Sequence, residues 1–245
     1  MKIAIDPHDD RQITPEQYLA RWGNKALGDT DDHRPRVRCG LCEQELHHVA
    51  GRTEDSHGHF SHLPRSGYCP SKAPAALAYG HLTPVDPDPK RGRLIRQQAM
   101  ENWRWIYQEV AERVPAFMAT EFVELVRAAD SDRLWEYRNL TLQQIPELFL
   151  VIRDFSPRTS KYRKFWIRFW FSANIQTIDD LWITPPASVE LMRASFQPPT
   201  SRQQIPRPEQ MIGLKKMKRA TGLHTNQSKI TDLVVRIICS SLNVN

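Results

Sequence analysis

"RCGLCEQELHHVAGRTEDSHGHFSHLPRSGYCP" (Arg38–Pro70) holds three of the four cysteines and five of the nine histidines of the 245-residue chain. Cys39 and Cys42 lie three positions apart with Gly40 between them. Two thiolates so spaced chelate one ion when the chain turns, and a glycine eases the turn. Such a half-site needs two more soft or borderline donors. Cys69 is the third, and the fourth comes from His47, His48, His57, His59 or His62. In an extended "HFSH", Phe60 and His62 share one face and His59 points to the other. Phe60 then packs beneath the metal loop while His62 ligates, with His59 as the alternative ligand or a partner behind it. Four protein donors leave no open position for water, so the expected metal is a structural Zn²⁺ rather than a catalytic one.

The surrounding chain sets the context for those thiols. No apolar run approaches the ~20 residues that span a bilayer, and "MKIAIDPHDD" lacks the apolar core of a secretory signal. A cytoplasmic location is expected, where thiols stay reduced and a cysteine cluster favours metal over disulfides. Cys239, within the apolar "VVRIICSSL", reads as a small hydrophobe rather than a further ligand.

Outward from the cluster, "KIAID" alternates as a short strand. "TPEQYLARWG" reads as a helix with Thr14 at its N-cap, Pro15 at its first position and Gly23 as its stop. "PVDPDP" (Pro84–Pro89) continues neither helix nor central strand and marks the main boundary. Beyond it, Ile95, Ala99, Trp103, Ile106 and Val110 line one face of a single helix over 93–112, and a second helix runs over 117–129. In "TLQQIPELFLVIRDF", Thr141 and Gln144 form a capping-box pattern, and Pro146 leaves "LFLVIRDF" open to helix or strand. "KFWIRFWFS" is the best strand, whereas "ASVELMRASF" and the closing "KITDLVVRIICSSL" read as helices. The fold class expected is α+β and mainly helical. It comprises a zinc-binding module over 1–80, a proline-rich linker over 81–92, a helical body with one short aromatic β element over 93–198, and a linker with basic and amphipathic helices over 199–245.

The formal charge is +6, and its clustering points to an anionic partner, nucleic acid first. "SPRTSKYRKFWIRFWF" interleaves cations and aromatics, which suits either a surface that clamps phosphates and stacks bases or, as the aromatic density favours, a strand buried on one face with arginine stems covering the aromatics of the other. Its turn places Arg158, Lys161, Arg163 and Lys164 at the surface. "LKKMKR" adds Lys215, Lys216, Lys218 and Arg219 on a solvated helix face. Arg168 lies within the aromatic strand and is expected to pack there.

"KIAID", "RCGLC", "HFSH" and the trailing cysteine together resemble the N-terminal zinc-binding module of competence CoiA-like proteins, over about residues 3–72. The resemblance implies metal-ligand roles for Cys39, Cys42, Cys69 and one or both of His59 and His62. It also implies a prokaryotic setting in foreign-DNA handling, in competence or phage defence. This chain carries a longer polar insertion, "GRTEDSHG", between the two halves of the motif.

Members of that family often continue into a nuclease domain of the PD-(D/E)xK kind, whose acids hold Mg²⁺ and activate water. Here "KFWIRFWFS" carries arginine and tryptophan where that motif needs a carboxylate and a lysine, so no activity carries over. Phosphate-binding loops, a G-x-S-x-G elbow and H-E-x-x-H are also missing from the sequence. The function expected is therefore a non-catalytic, zinc-containing protein that binds nucleic acid, DNA before RNA, or assembles a complex. The alternatives are a diverged Mg²⁺-dependent nuclease drawing on Glu147, Asp154 and Asp179, or a protein-docking subunit. The pair Asp179-Asp180 after Thr177 reads more simply as the first turn of a helix.

Overall fold

The computed structural model describes residues 1–23, 34–51, 53, 57–67, 69–72, 79, 82–158, 163–172, 175, 177–183, 188–199, 205–218 and 230–244. Among these the fold is α+β: six α-helices and two antiparallel sheets. The first sheet has the order β2-β1-β3-β4-β5. Its strands are β1 (Ala4–Ile5), β2 (Gln12–Ile13), β3 (Val37–Arg38), β4 (Glu45–Val49) and β5 (His59–His62). Ala4, Val37, Leu46 and Phe60 point into the core, while Gly58, at φ +76°, makes the turn into β5. Helix α1 (Pro15–Trp22) follows the caps read from the sequence. Thr14 accepts from Gln17 N at 3.2 Å and Gln17 Oε1 accepts from Thr14 N at 2.9 Å, closing the capping box, and Gly23 ends the helix at φ +76°.

The helical body comprises α2 (Pro89–Glu101), α3 (Trp103–Arg113), α4 (Ala119–Ser131) and α5 (Ile145–Val151). The single helix expected over 93–112 is two. Asn102 separates them, and its side chain donates to Gln98 O at 2.8 Å, the local bonding by which asparagine competes with a helical backbone. Helix α2 begins at Pro89, capped by Asp88 accepting from Arg91 N, so the proline segment holds the helix N-terminus. Pro146 lies in the first turn of α5, where it has no helical hydrogen bond to break.

The aromatic strand β6 (Trp166–Phe171) is joined by β7 (Leu191–Phe196) and β8 (Met211–Met217) in the order β6-β7-β8. Two expectations are corrected here. "ASVELMRASF" contributes a strand, because Leu191, Ala194 and Phe196 are buried between paired neighbours. "LKKMK" is likewise strand rather than helix, since β8 pairs along β7 from Met211 to Met217. Helix α6 (Asp232–Leu242) packs on α4.

One hydrophobic core runs through both sheets and the helices. Lys2 N donates to Met211 O at 3.3 Å and Gln12 Nε2 to Leu214 O at 2.7 Å. Phe171 N donates to Tyr79 Oη at 2.8 Å. A Cβ on Gly40 would lie 2.5 Å from Leu214 Cδ2, so the turn between the first two cysteines approaches β8 closely enough that any larger residue there would have to displace the Leu214 side chain. No helix among the described residues is long and apolar enough to cross a membrane.

Candidate metal centre

Four ligand atoms from three separate pieces of chain converge at the edge of the first sheet. The turn after β3 supplies Cys39 and Cys42, β5 supplies His62, and the segment before a single 3₁₀ turn (Pro70–Lys72) supplies Cys69. All four atoms lie within 4.8 Å of one another. The sulfurs of Cys39 and Cys69 are 3.7 Å apart and Cys42 Sγ is 3.3 Å from His62 Nε2. A disulfide requires sulfurs at ~2.05 Å, and all the cysteines are free. Among the described residues this is the one group of three or more histidine, cysteine or acidic side chains placed to hold a metal ion.

Strand geometry sorts the histidines. On β5, Phe60 is fully buried and His62 faces the cysteines, while His59 lies on the opposite face, paired across β4 with Val49. Burial lowers the pKa of His59, helped by the neighbouring amino terminus. His48 stacks on Tyr18 with centroids 5.7 Å apart and shares a 2.7 Å hydrogen bond with His57 O. His47, His48, His57 and His59 therefore stand outside the cluster.

The cluster's electrostatics suit a cation. Hydrogen bonds from Cys39 and Cys42 hold Cys69 far below the usual thiol range. Shared hydrogen bonds with Cys42 and Cys69, and then burial, push Cys39 well above it. The three sulfurs crowd one another and oppose ionising together; a bound cation would let all three ionise.

Sequence reading missed Ser71. This fully buried residue places its hydroxyl 3.0 Å from Cys69 Sγ, and its carbonyl accepts from Arg168 Nη1 at 3.4 Å. It steadies one ligand and ties the site to the second sheet. Its only sequence signal is a small polar residue two positions after a ligand cysteine.

The cations assigned to nucleic acid separate in the structure. Arg163 is corrected outright: it is 2% exposed and bonded through two nitrogens to Glu121, at 2.5 and 3.3 Å, with Ser156 O at 2.8 Å from its Nε. A guanidinium so enclosed has no face for a phosphate. Arg168, fully buried, grips Asp154 instead. Arg158 is partly exposed and also meets Glu121, at 3.4 Å. Lys164, Lys215 and Lys218 are exposed, and Lys216 pairs with Glu190. Lys161 and Arg219 lie outside the described residues.

The acids of the nuclease alternative do not meet. Asp154 is held by Arg168 and by Trp166 Nε1 at 2.8 Å. Glu147 is buried in α5, and Asp179 opens a 3₁₀ turn whose Asp180 accepts from Thr177 N at 2.7 Å. No second metal cluster forms from them among the described residues. Compared with protein-family models, curated proteins and solved structures, the chain matches none.

Proposed function

We propose that this is a non-catalytic, zinc-containing protein that binds nucleic acid, DNA before RNA, with the metal fixing the shape of its N-terminal sheet. The observation that carries the metal half is the 3.7 Å separation of Cys39 Sγ and Cys69 Sγ. A tetrahedral ion with metal–sulfur bonds of ~2.3 Å sets its sulfurs ~3.8 Å apart, and a Cys₃His donor set is characteristic of structural zinc. Calcium and magnesium take oxygen donors. Thiols kept free for a metal favour a reducing compartment such as the cytoplasm.

The nucleic-acid half is supported by what remains of the basic hairpin once Arg163 is removed from it. Arg158 N donates to Arg163 O at 2.9 Å, which brings Arg158 alongside the segment that carries Lys164, and Phe165, next in the chain, is 46% exposed. Two cations and a bare aromatic ring on neighbouring stretches of chain offer phosphate contact and base stacking together. The resemblance of residues 3–72 to CoiA-like modules favours a role in foreign-DNA handling, by analogy of motif.

Metal analysis of the purified chain is expected to find about one zinc per molecule. Binding to a mixed-sequence oligonucleotide should fall steeply with salt, and Arg158→Ala with Lys164→Ala should flatten the log–log slope by about two for single-stranded or duplex DNA. Salt-insensitive binding, or no binding, removes the nucleic-acid half. Zinc-free protein with an intact N-terminal sheet removes the other.

A further inference from the structure

The three arginines buried among the described residues each pair with a carboxylate. Arg113 pairs with Glu109 at 2.7 Å, Arg163 with Glu121 at 2.5 Å and Arg168 with Asp154 at 2.5 Å. Arg193 breaks the pattern. It is partly buried at the middle of β7, its Nε is sealed from solvent without an acceptor, and no described residue forms an ion pair with it. Burial alone lowers its pKa, with no acid opposing the effect.

Its neighbours deepen the anomaly. Directly across the sheet stands Lys215, and like charges on opposed cross-strand positions repel. Lysine on an edge strand guards against unwanted strand pairing, which accounts for Lys215 on β8 by itself. Arg193 lies on the central strand, where that reason has no force. The next pair on the same face is Ser195 and Gly213. The hydroxyl of Ser195 has no described partner. Among the described residues a Cβ on Gly213 would meet nothing within 4 Å except Ser195 Cβ at 3.8 Å, so no described atom fills the space above the glycine.

We infer that Arg193, Lys215 and Ser195, around the notch left by Gly213, form a binding site for a phosphate-type oxyanion. A guanidinium fork, an ammonium and a hydroxyl are the donors by which proteins hold a tetrahedral oxyanion, and an anion there converts a repelling pair into a bridged one. The chemistry is common to free phosphate and to a nucleic-acid backbone phosphate; the second source rests on the nucleic-acid reading proposed above.

The test titrates the full zinc-loaded chain with inorganic pyrophosphate by calorimetry and, separately, with the mixed-sequence oligonucleotide. Arg193→Gln should weaken binding by roughly ten- to a hundredfold, the effect of losing a charge-assisted contact. Gly213→Val is the control for folding. It leaves every charge in place, improves strand propensity and fills the notch, so it should weaken binding without lowering the melting temperature. Pyrophosphate binding lost in both variants supports the site as one for free phosphates, whatever the oligonucleotide does. Oligonucleotide affinity lost in both, without pyrophosphate binding, supports it as a backbone contact. If neither ligand is affected by Gly213→Val, the site is overturned. If the oligonucleotide then still depends on Arg158 and Lys164, the nucleic-acid reading survives that failure.

Discussion

Replacing Arg168 with leucine tests the tie between the two sheets. The guanidinium is fully buried and Asp154 is 7% exposed. Arg168 Nε donates to Asp154 Oδ1 at 2.8 Å, Nη2 to Oδ2 at 2.5 Å and Nη1 to Ser71 O at 3.4 Å. The guanidinium carbon also lies 5.0 Å from the centre of the Phe196 ring. Leucine removes the positive charge and leaves a buried carboxylate with its main counter-charge gone. Removing one partner of such a pair costs about 3–5 kcal/mol. For a chain of this size each kcal/mol moves the melting temperature by about 2–4 °C, so a drop of roughly 6–20 °C is expected. Urea unfolding at neutral pH with zinc present measures the loss directly. The double change Arg168→Leu with Asp154→Leu should recover most of it, because two apolar groups of similar volume in place of a buried pair are often neutral. A single-variant loss below about 1 kcal/mol, or a double variant no more stable than the single, would refute the reasoning.

Gly58→Ala should destabilise the protein by about 1–3 kcal/mol from its backbone conformation alone, and by more once the new Cβ, 2.0 Å from Val49 O, displaces β5; unchanged thermal stability counts against the turn described. His62→Ala should abolish tight zinc retention in a competition titration with a chelator, whereas His59→Ala should leave it within about tenfold; equal losses overturn the assignment by strand face. Burial raises the pKa of the Tyr137 phenol, so its stabilising contribution is complete below about pH 10 and is lost as pH rises beyond that. Tyr137→Phe should therefore flatten the alkaline limb of the stability profile, at a cost of about 1 kcal/mol near neutrality for its bond to Leu82 O; an unchanged alkaline limb refutes this.

The parts of the fold legible in the sequence were those written into short stretches of chain. Cys39, Cys42 and the alternation in "HFSH" act within a few residues, and so do the caps at Thr14 and Gly23. Local chemistry determines such features whatever the rest of the chain does. The basic hairpin was misjudged at Arg163 because its partner, Glu121, is 42 residues away, and a run of cations says nothing about which of them a distant acid will claim. "ELMRA" is good helix-forming sequence, yet a strand on either side of it offers burial that outweighs propensity. The helical reading also hid Arg193: only as strand do Leu191, Arg193 and Ser195 fall on one face. Met211, Leu214 and Met217 recur every three residues and imitate a helical stripe, although Leu214 and Met217 point to opposite faces of the sheet.

The hydrogen bond from Gln12 to Leu214 spans 202 residues, which bears on how the chain emerges from a ribosome. At about 5–20 residues per second, roughly 10–40 s separate the synthesis of Gln12 from the arrival of Leu214. Throughout that interval the backbone of Gly40 and the apolar surface around Ile5 have no β8 to cover them. Metal capture needs only the residues up to Cys69, so a nascent chain can lock its cysteine turn long before the strand that shields it exists. On the proposed metal reading, a chain starved of metal during translation would meet that interval with the turn unlocked and its first sheet open to aggregation.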